Sequence, residues 1–206
     1  AVVAELIERG DIDYRANAQA REVTVLFSDI RGFTALSEQA APEEVVAMLN
    51  RYFSRQVEVI FRHGGTLDKF IGDAIMAFWG APTATPDHAS RAVAAALDMS
   101  QVLEELRGEL GEIGAHLEIG IGIHSGKAVV GFIGSNDRLD YTAIGDTVNL
   151  ASRIEGLTKG IGRILVSEAT RDAVGAAYGW ADRGSHHVKG RETEVRLFEP
   201  GPASGR

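Results

Sequence analysis

Cysteine is absent from the 206 residues. That excludes a disulfide framework and any thiolate metal site, and it fits a reducing compartment. No apolar run reaches the length of a membrane span, and the first residues show no signal-peptide pattern. Basic residues are outnumbered: 21 Lys and Arg against 29 Asp and Glu give a formal charge of -8. A general nucleic-acid binder needs clustered positive surface, so no nucleic-acid partner is expected. Proline occurs five times, two of them in the loop "APTATPDH". What is plentiful is core material, with 45 % hydrophobic residues, enough for one sizeable domain. The chain does not begin with Met. It is expected to have followed an upstream regulatory domain in a longer protein.

Residues 1–20 read as an N-terminal linker segment, 21–199 as one folded domain and 200–206 as a C-terminal tail. "REVTVLFSDI" is rich in β-branched and apolar residues and predicts a central strand. "PEEVVAMLNRYFSRQVEVIFRHGG" opens on Pro and two acids, closes on Gly-Gly and repeats its apolar residues at helical spacing. "TLDKFIGDAIMAFWG" predicts two strands about an Ile-Gly-Asp turn, and "ASRAVAAALDMSQVLEELRGEL" a long helix. "HLEIGIGIHSGKAVVGFIGS" predicts a strand, a turn at Ser125-Gly126 and a second strand. The glycines of the first part imply close approach by another backbone. A helix follows from Gly145–Asp146, then "RILVS", a short helix from Glu168 and a terminal strand pair. This mixture predicts an α+β fold, a sheet with helices on one face.

Two carboxylates adjoin these strands, Asp29 after "VTVLFS" and Asp73 before "AIMAFW". Each could simply make a turn, since Asp bonds its own backbone there. If adjacent strands carry both, their oxygens could instead converge on a hard divalent ion. Lys69, in "DKFIGD", could cover apolar surface with its stem or donate to a ligand. Asn149 and Arg153 are four apart on one helical face, which suits either solvent or phosphate. Two nucleotide motifs fail. "HSGKAVV" has Ala128 where a P-loop needs Ser or Thr, and "GIGIHSG" has Ser125 in place of the third glycine of a dinucleotide fingerprint. The six histidines show no metal-binding spacing, and His186 and His187 read as surface residues.

Taken in order, "FSDIRGFT", "DKFIGDAIMAFWG" and "YTAIGDTVNLASRIEG" resemble the catalytic domain of class III adenylate and guanylate cyclases over roughly residues 20–199. The resemblance implies a ferredoxin-like sheet with helices packed on it. It makes Asp29 and Asp73 the ligands of two Mg²⁺ or Mn²⁺ ions per site, with the Ile30 carbonyl completing one of them. "RGFT" would begin the helix that approaches the triphosphate, which brings Phe33 and Thr34 to the substrate. Lys69 matches the adenine-selecting lysine and Thr142, seven residues before Asn149, its partner. Thr at that position departs from the Asp of mammalian membrane enzymes and looks like the subclass that holds bicarbonate-responsive cyclases. Asn149 and Arg153 match the transition-state pair, and Lys189 in "HVKGRE" a phosphate-contacting lysine.

The activity so implied is conversion of ATP to 3′,5′-cyclic AMP and pyrophosphate. It would occur at sites shared across a head-to-tail homodimer, the metal aspartates coming from one chain and the other residues from its partner. A cytoplasmic catalytic domain is expected, with membrane attachment of a full-length protein left open. Three rivals are weaker. A guanylyl cyclase would place Glu where Lys69 stands. A degenerate binding module would have lost a metal Asp or the Asn/Arg pair. A diguanylate cyclase would carry a Gly-Gly-Asp/Glu-Glu-Phe signature, of which "HGGTLDKF" has only the glycines.

Overall fold

The structure, a computed structural model, describes residues 18–111, 114, 117–135 and 139–203. The N-terminal linker segment read at 1–20 lies almost wholly outside the described residues, as do the last three residues. Eight strands form one sheet: β1 (Gln19–Arg31), β2 (Thr66–Ile71), β3 (Ala74–Trp79), β4 (Glu118–Gly134), β5 (Leu139–Ile144), β6 (Ile164–Ser167), β7 (Tyr178–His186) and β8 (Val195–Ala203). Among the described residues the α-helices are α1 (Phe33–Gln39), α2 (Pro42–Arg62), α3 (His88–Leu110), α4 (Asp146–Ile161) and α5 (Glu168–Val174). The strand order is β2-β3-β1-β4-β6-β8-β7, and β5 pairs with β4 off this path. All pairings are antiparallel except β4 with β6. β8 thus continues to Ala203, into residues whose sequence reads as tail.

β1 lies inside the sheet between β3 and β4, and alternation along it builds two cores. Leu26 and Ile30 pack with Met48 and Tyr52 of α2 and Val93 and Met99 of α3. Val23, Val25 and Phe27 point the other way, towards Val148 and Ala151 of α4. Helices therefore cover both faces, not one. The near-continuous apolar run of "VTVLF" is the sequence counterpart of a strand buried on both sides.

The turn expected at Ser125-Gly126 is not there. β4 runs unbroken for 17 residues, and its pairing with β1 continues through Thr24↔Ser125 and Val23↔Gly126. Small polar residues survive in mid-strand because they are bonded: the Thr24 and Ser125 hydroxyls lie 2.7 Å apart. The glycines just before them serve the close approach that the sequence implied. A Cβ on Gly122 would stand 2.1 Å from the Glu155 backbone nitrogen, so α4 rests directly on β4. Among the described residues, no helix is long and apolar enough to cross a membrane.

Candidate active site

Asp29 follows Val23, Val25 and Phe27 in the alternation of β1 and therefore faces α4. Asp73 sits beside it, in the turn that joins β2 to β3. Gly72 makes that turn with φ of 63°, a left-handed conformation that costs glycine little. Burial, and then a hydrogen bond and charge repulsion from Asp29, push the Asp73 acid up to about 6, while the amides of Asp73 and Ile30 pull the other way. Two carboxylates so close cannot both ionise freely without a cation. Ile30 buries its side chain in the core, so only its backbone is available for ligation.

This donor set suits a hard divalent ion that takes one or two carboxylates and completes its shell with water and substrate phosphates. Among the described residues no group of three or more His, Asp or Glu is placed to hold a metal. A third acid does stand nearby. Burial, and next the charge of Asp29, push Glu155 of α4 up to about 7, with Lys159 and Arg31 partly offsetting them. Sequence reading missed Glu155 because "SRIEG" looks like the solvated face of a helix. Its burial comes from the bare glycines of β4.

Lys69, Thr142 and Asn149 come together in a cleft of about 480 Å³ whose floor includes Phe27 and Met76. They arrive from β2, β5 and α4 respectively. Asp29, Asp73 and Arg153 do not line it. Lys69 is 44 % exposed at its side chain, and Asn149 is exposed near the start of α4. One turn further along α4, the Arg153 guanidinium lies against the Val188–Arg191 turn. A Cβ on Gly190 would stand 3.4 Å from both of its terminal nitrogens. Lys189 is exposed in this turn, and Arg191 ties it to α4 through an ion pair with Asp146. Phe33 turns onto the core, and Thr34 is exposed in the first turn of α1.

Asp68 is the second residue that sequence reading missed. β2 bulges between Leu67 and Lys69, and a bulge re-aims the side chain it carries. The Asp68 side chain is fully buried. Its Oδ2 accepts from the Thr142 hydroxyl at 2.7 Å and from the Ala143 amide at 3.2 Å. No local signal could reveal a contact made 74 residues away.

Residues 16–198 match the family model of the adenylate and guanylate cyclase catalytic domain. The chain is 42 % identical to adenylate cyclase 1 of Rhizobium meliloti (strain 1021) over 96 % of its own length and 30 % of that protein's. It therefore spans about a third of the length of such curated relatives. Among solved structures it resembles the guanylyl cyclase Cya2, with a TM-score of 0.86 and 41 % identity over 91 % of this chain and 95 % of that one. It also resembles the adenylyl cyclase CyaB from P. aeruginosa, with a TM-score of 0.85 and 36 % identity over 91 % and 97 %. The motifs, the fold and the matched span agree, and the chain belongs to the family of adenylate and guanylate cyclase catalytic domains.

Proposed function

We propose that the chain is the catalytic domain of an adenylate cyclase, converting ATP to 3′,5′-cyclic AMP and pyrophosphate at sites completed by a second copy of itself. The observation that carries this reading is the cleft that gathers Lys69, Thr142 and Asn149. Adenine presents an acceptor at N1 and a donor at N6. Lys69 donates to N1, and the Thr142 hydroxyl accepts from N6. Guanine reverses both signs. Overall likeness does not choose between the bases, since similar proteins include a guanylyl cyclase as well as adenylate cyclases. The choice rests on these two side chains.

The ribose 3′-oxygen attacks the α-phosphorus, its proton is released to water, and the bond to the β-phosphate oxygen breaks. Asn149 orients the ribose. Arg153 neutralises charge that develops on the α-phosphoryl group, an interaction stronger in the transition state than before it. Lys189 and the first turn of α1, with Phe33 and Thr34, are assigned to the phosphates. Asp29, Asp73 and the Ile30 carbonyl would hold two Mg²⁺ or Mn²⁺ ions. When bound, these would supply charge neutralisation for the triphosphate and a lowered pKa for the 3′-hydroxyl.

A second copy enters the proposal because the carboxylate pair does not line the cleft that would read the base, while Arg153 is held near it on the same helix as Asn149. The cleft's rim supports such docking: Ile71 and Ile144 line it while 52 % and 48 % exposed. Apolar surface of this kind marks an interface. A head-to-tail pair sets the carboxylates of one chain opposite the cleft of its partner, twice over. A bicarbonate response, an upstream regulatory domain and a cytoplasmic setting, where ATP is available, belong to the same proposal.

The test is incubation of the purified chain with ATP or GTP and Mn²⁺. Cyclic AMP with little cyclic GMP is the expected product. Predominant cyclic GMP, or no product from a verified dimer, would overturn the reading.

A further inference from the structure

A hydroxyl is an ambiguous reader of a base, because it has one proton to give and two lone pairs to receive with. If Thr142 were free to rotate, it could accept from adenine N6 or donate to guanine O6 equally well. The structure removes that freedom. Thr142 Oγ1 lies 2.7 Å from Asp68 Oδ2, and the same oxygen receives the Ala143 amide at 3.2 Å. A backbone N–H is always a donor, so Oδ2 acts as an acceptor towards Ala143, and the Thr142 hydroxyl donates to the same oxygen. Oδ1, also buried, faces the Lys69 ammonium at 3.3 Å, though poorly aligned for a hydrogen bond. The proton between Thr142 and Asp68 therefore belongs to Thr142. Only lone pairs remain for the cleft.

We infer that Asp68 is a specificity-determining positioning residue: by taking the Thr142 proton it makes that hydroxyl an acceptor-only reader, which selects a 6-amino purine over a 6-oxo purine. The inference rests on the adenine reading proposed above and explains how a residue of either polarity serves it. To donate to guanine O6, Thr142 would have to abandon a fully buried carboxylate, and an unpaired buried acceptor is costly. The bulge that places Asp68, the pairing of Thr142 with β4 and the cleft that holds Lys69 are thus parts of one device.

The experiment compares kcat/KM for ATP and GTP in the unaltered chain, Asp68→Ala, Thr142→Val and the double variant. Asp68→Ala should raise the GTP-to-ATP ratio about tenfold, mainly through KM. The double variant should match Thr142→Val alone, because Asp68 acts through the hydroxyl. A merely structural Asp68 would lower both nucleotides alike; an unchanged ratio, or a further change in the double variant, overturns the inference. Binding of 3′-deoxy-ATP and 3′-deoxy-GTP, followed by calorimetry, separates this from the reaction itself. If no cyclic product forms but Asp68→Ala still erodes discrimination in binding, the adenylate cyclase reading fails and the inference stands. If cyclic AMP forms and discrimination is untouched, the inference fails alone. Should Asp68→Ala not fold, the unaltered chain still decides. Binding of 3′-deoxy purine riboside triphosphate, which lacks the N6 amine, should be about tenfold weaker than that of 3′-deoxy-ATP. The 6-methoxy analogue, with oxygen at that position, should bind no better than the unsubstituted purine. A clear gain for the methoxy compound would mean that the hydroxyl donates.

Discussion

Burial, and after it the hydrogen bond and charge repulsion from Asp29, hold the Asp73 acid up at about 6 in the β2–β3 turn. A residue kept for packing would not be placed so. Replacing Asp73 by Ala removes one of the two charges from a partly exposed turn, so the melting temperature of the metal-free chain should hold or rise. Turnover should nevertheless fall at least about a hundredfold, since charge neutralisation is the main catalytic resource for this kind of transfer. The same substitution should abolish the rise in melting temperature that Mn²⁺ gives the unaltered chain by binding its folded state. Near-normal activity in Asp73→Ala would remove the carboxylate pair from the site.

Residues of this kind were legible because each stands in a run of several matching positions: Asp29 in "FSDIRGFT", Lys69 and Asp73 in "DKFIGD", Thr142 and Asn149 in "YTAIGDTVN". Asp68 stands in the run of Lys69 and Glu155 six residues beyond Asn149, yet spacing marks neither. Their importance arises from burial by strands and glycines far away in the chain, which periodicity does not encode. Phe33 packs its side chain on the core, so the substrate contact expected of it would fall to its backbone.

At the scale of elements, α4 is seated by what β4 lacks. Gly122→Ala would put a methyl carbon 2.1 Å from the Glu155 nitrogen and 2.6 Å from its Cα. Backbone cannot swing aside as a side chain does. The substitution should cost about 2–4 kcal/mol, read from denaturant midpoints, and should weaken turnover through the displacement of Asn149 and Arg153. The hairpin of β2 and β3 and the long helices were readable from turn residues and apolar spacing. The continuity of β4 was not, because Ser-Gly is an ordinary turn pair and only pairing with β1 keeps it extended.

That pairing also threads a run of polar contacts between elements. His88, the first residue of α3, bonds Thr24 of β1 at 2.7 Å. Thr24 meets Ser125 of β4, Ser125 meets Thr170 of α5, Thr170 meets Ser167, and Ser167 bonds His124 at 2.7 Å. Burial, then the charge of Arg191, push His124 down to about 4, against a smaller opposing pull from Asp146. In the unfolded chain it titrates near 6.5. Between those values the unfolded chain holds more protons, so stability falls as the pH drops through the window from about 6.5 to about 4 and is full above it. The loss is on the order of 3 kcal/mol for a shift of this size. His124→Asn keeps an acceptor for Ser167 and cannot be charged. The unaltered chain should therefore lose more stability than His124→Asn between pH 7 and pH 4.5, measured by urea denaturation. Parallel curves would mean that His124 is not buried neutral.

For the molecule as a whole, Asp29 and Asp73 do not line the cleft of Lys69, Thr142 and Asn149, and the proposed dimer brings the two together. A two-fold axis repeats both halves and so builds two identical composite sites or none. Asp29→Ala should silence the metal half, and Arg153→Ala the transition-state half. Each homodimer should then be inactive, with both of its sites damaged in the same way. In a mixed dimer the damage is sorted: one site collects both lesions and the other is whole. If the two proteins are mixed and allowed to exchange subunits, half of the dimers are mixed and each holds one intact site of two, so about a quarter of normal activity should return. The measurement is cyclic AMP formation over time after mixing, alongside native mass analysis of differently tagged chains to follow exchange. Recovery that tracks the mixed dimer would establish the shared site. Mixed dimers with no recovered activity would place all of these residues in one chain's own site, and the exposed Ile71 and Ile144 would then need another partner.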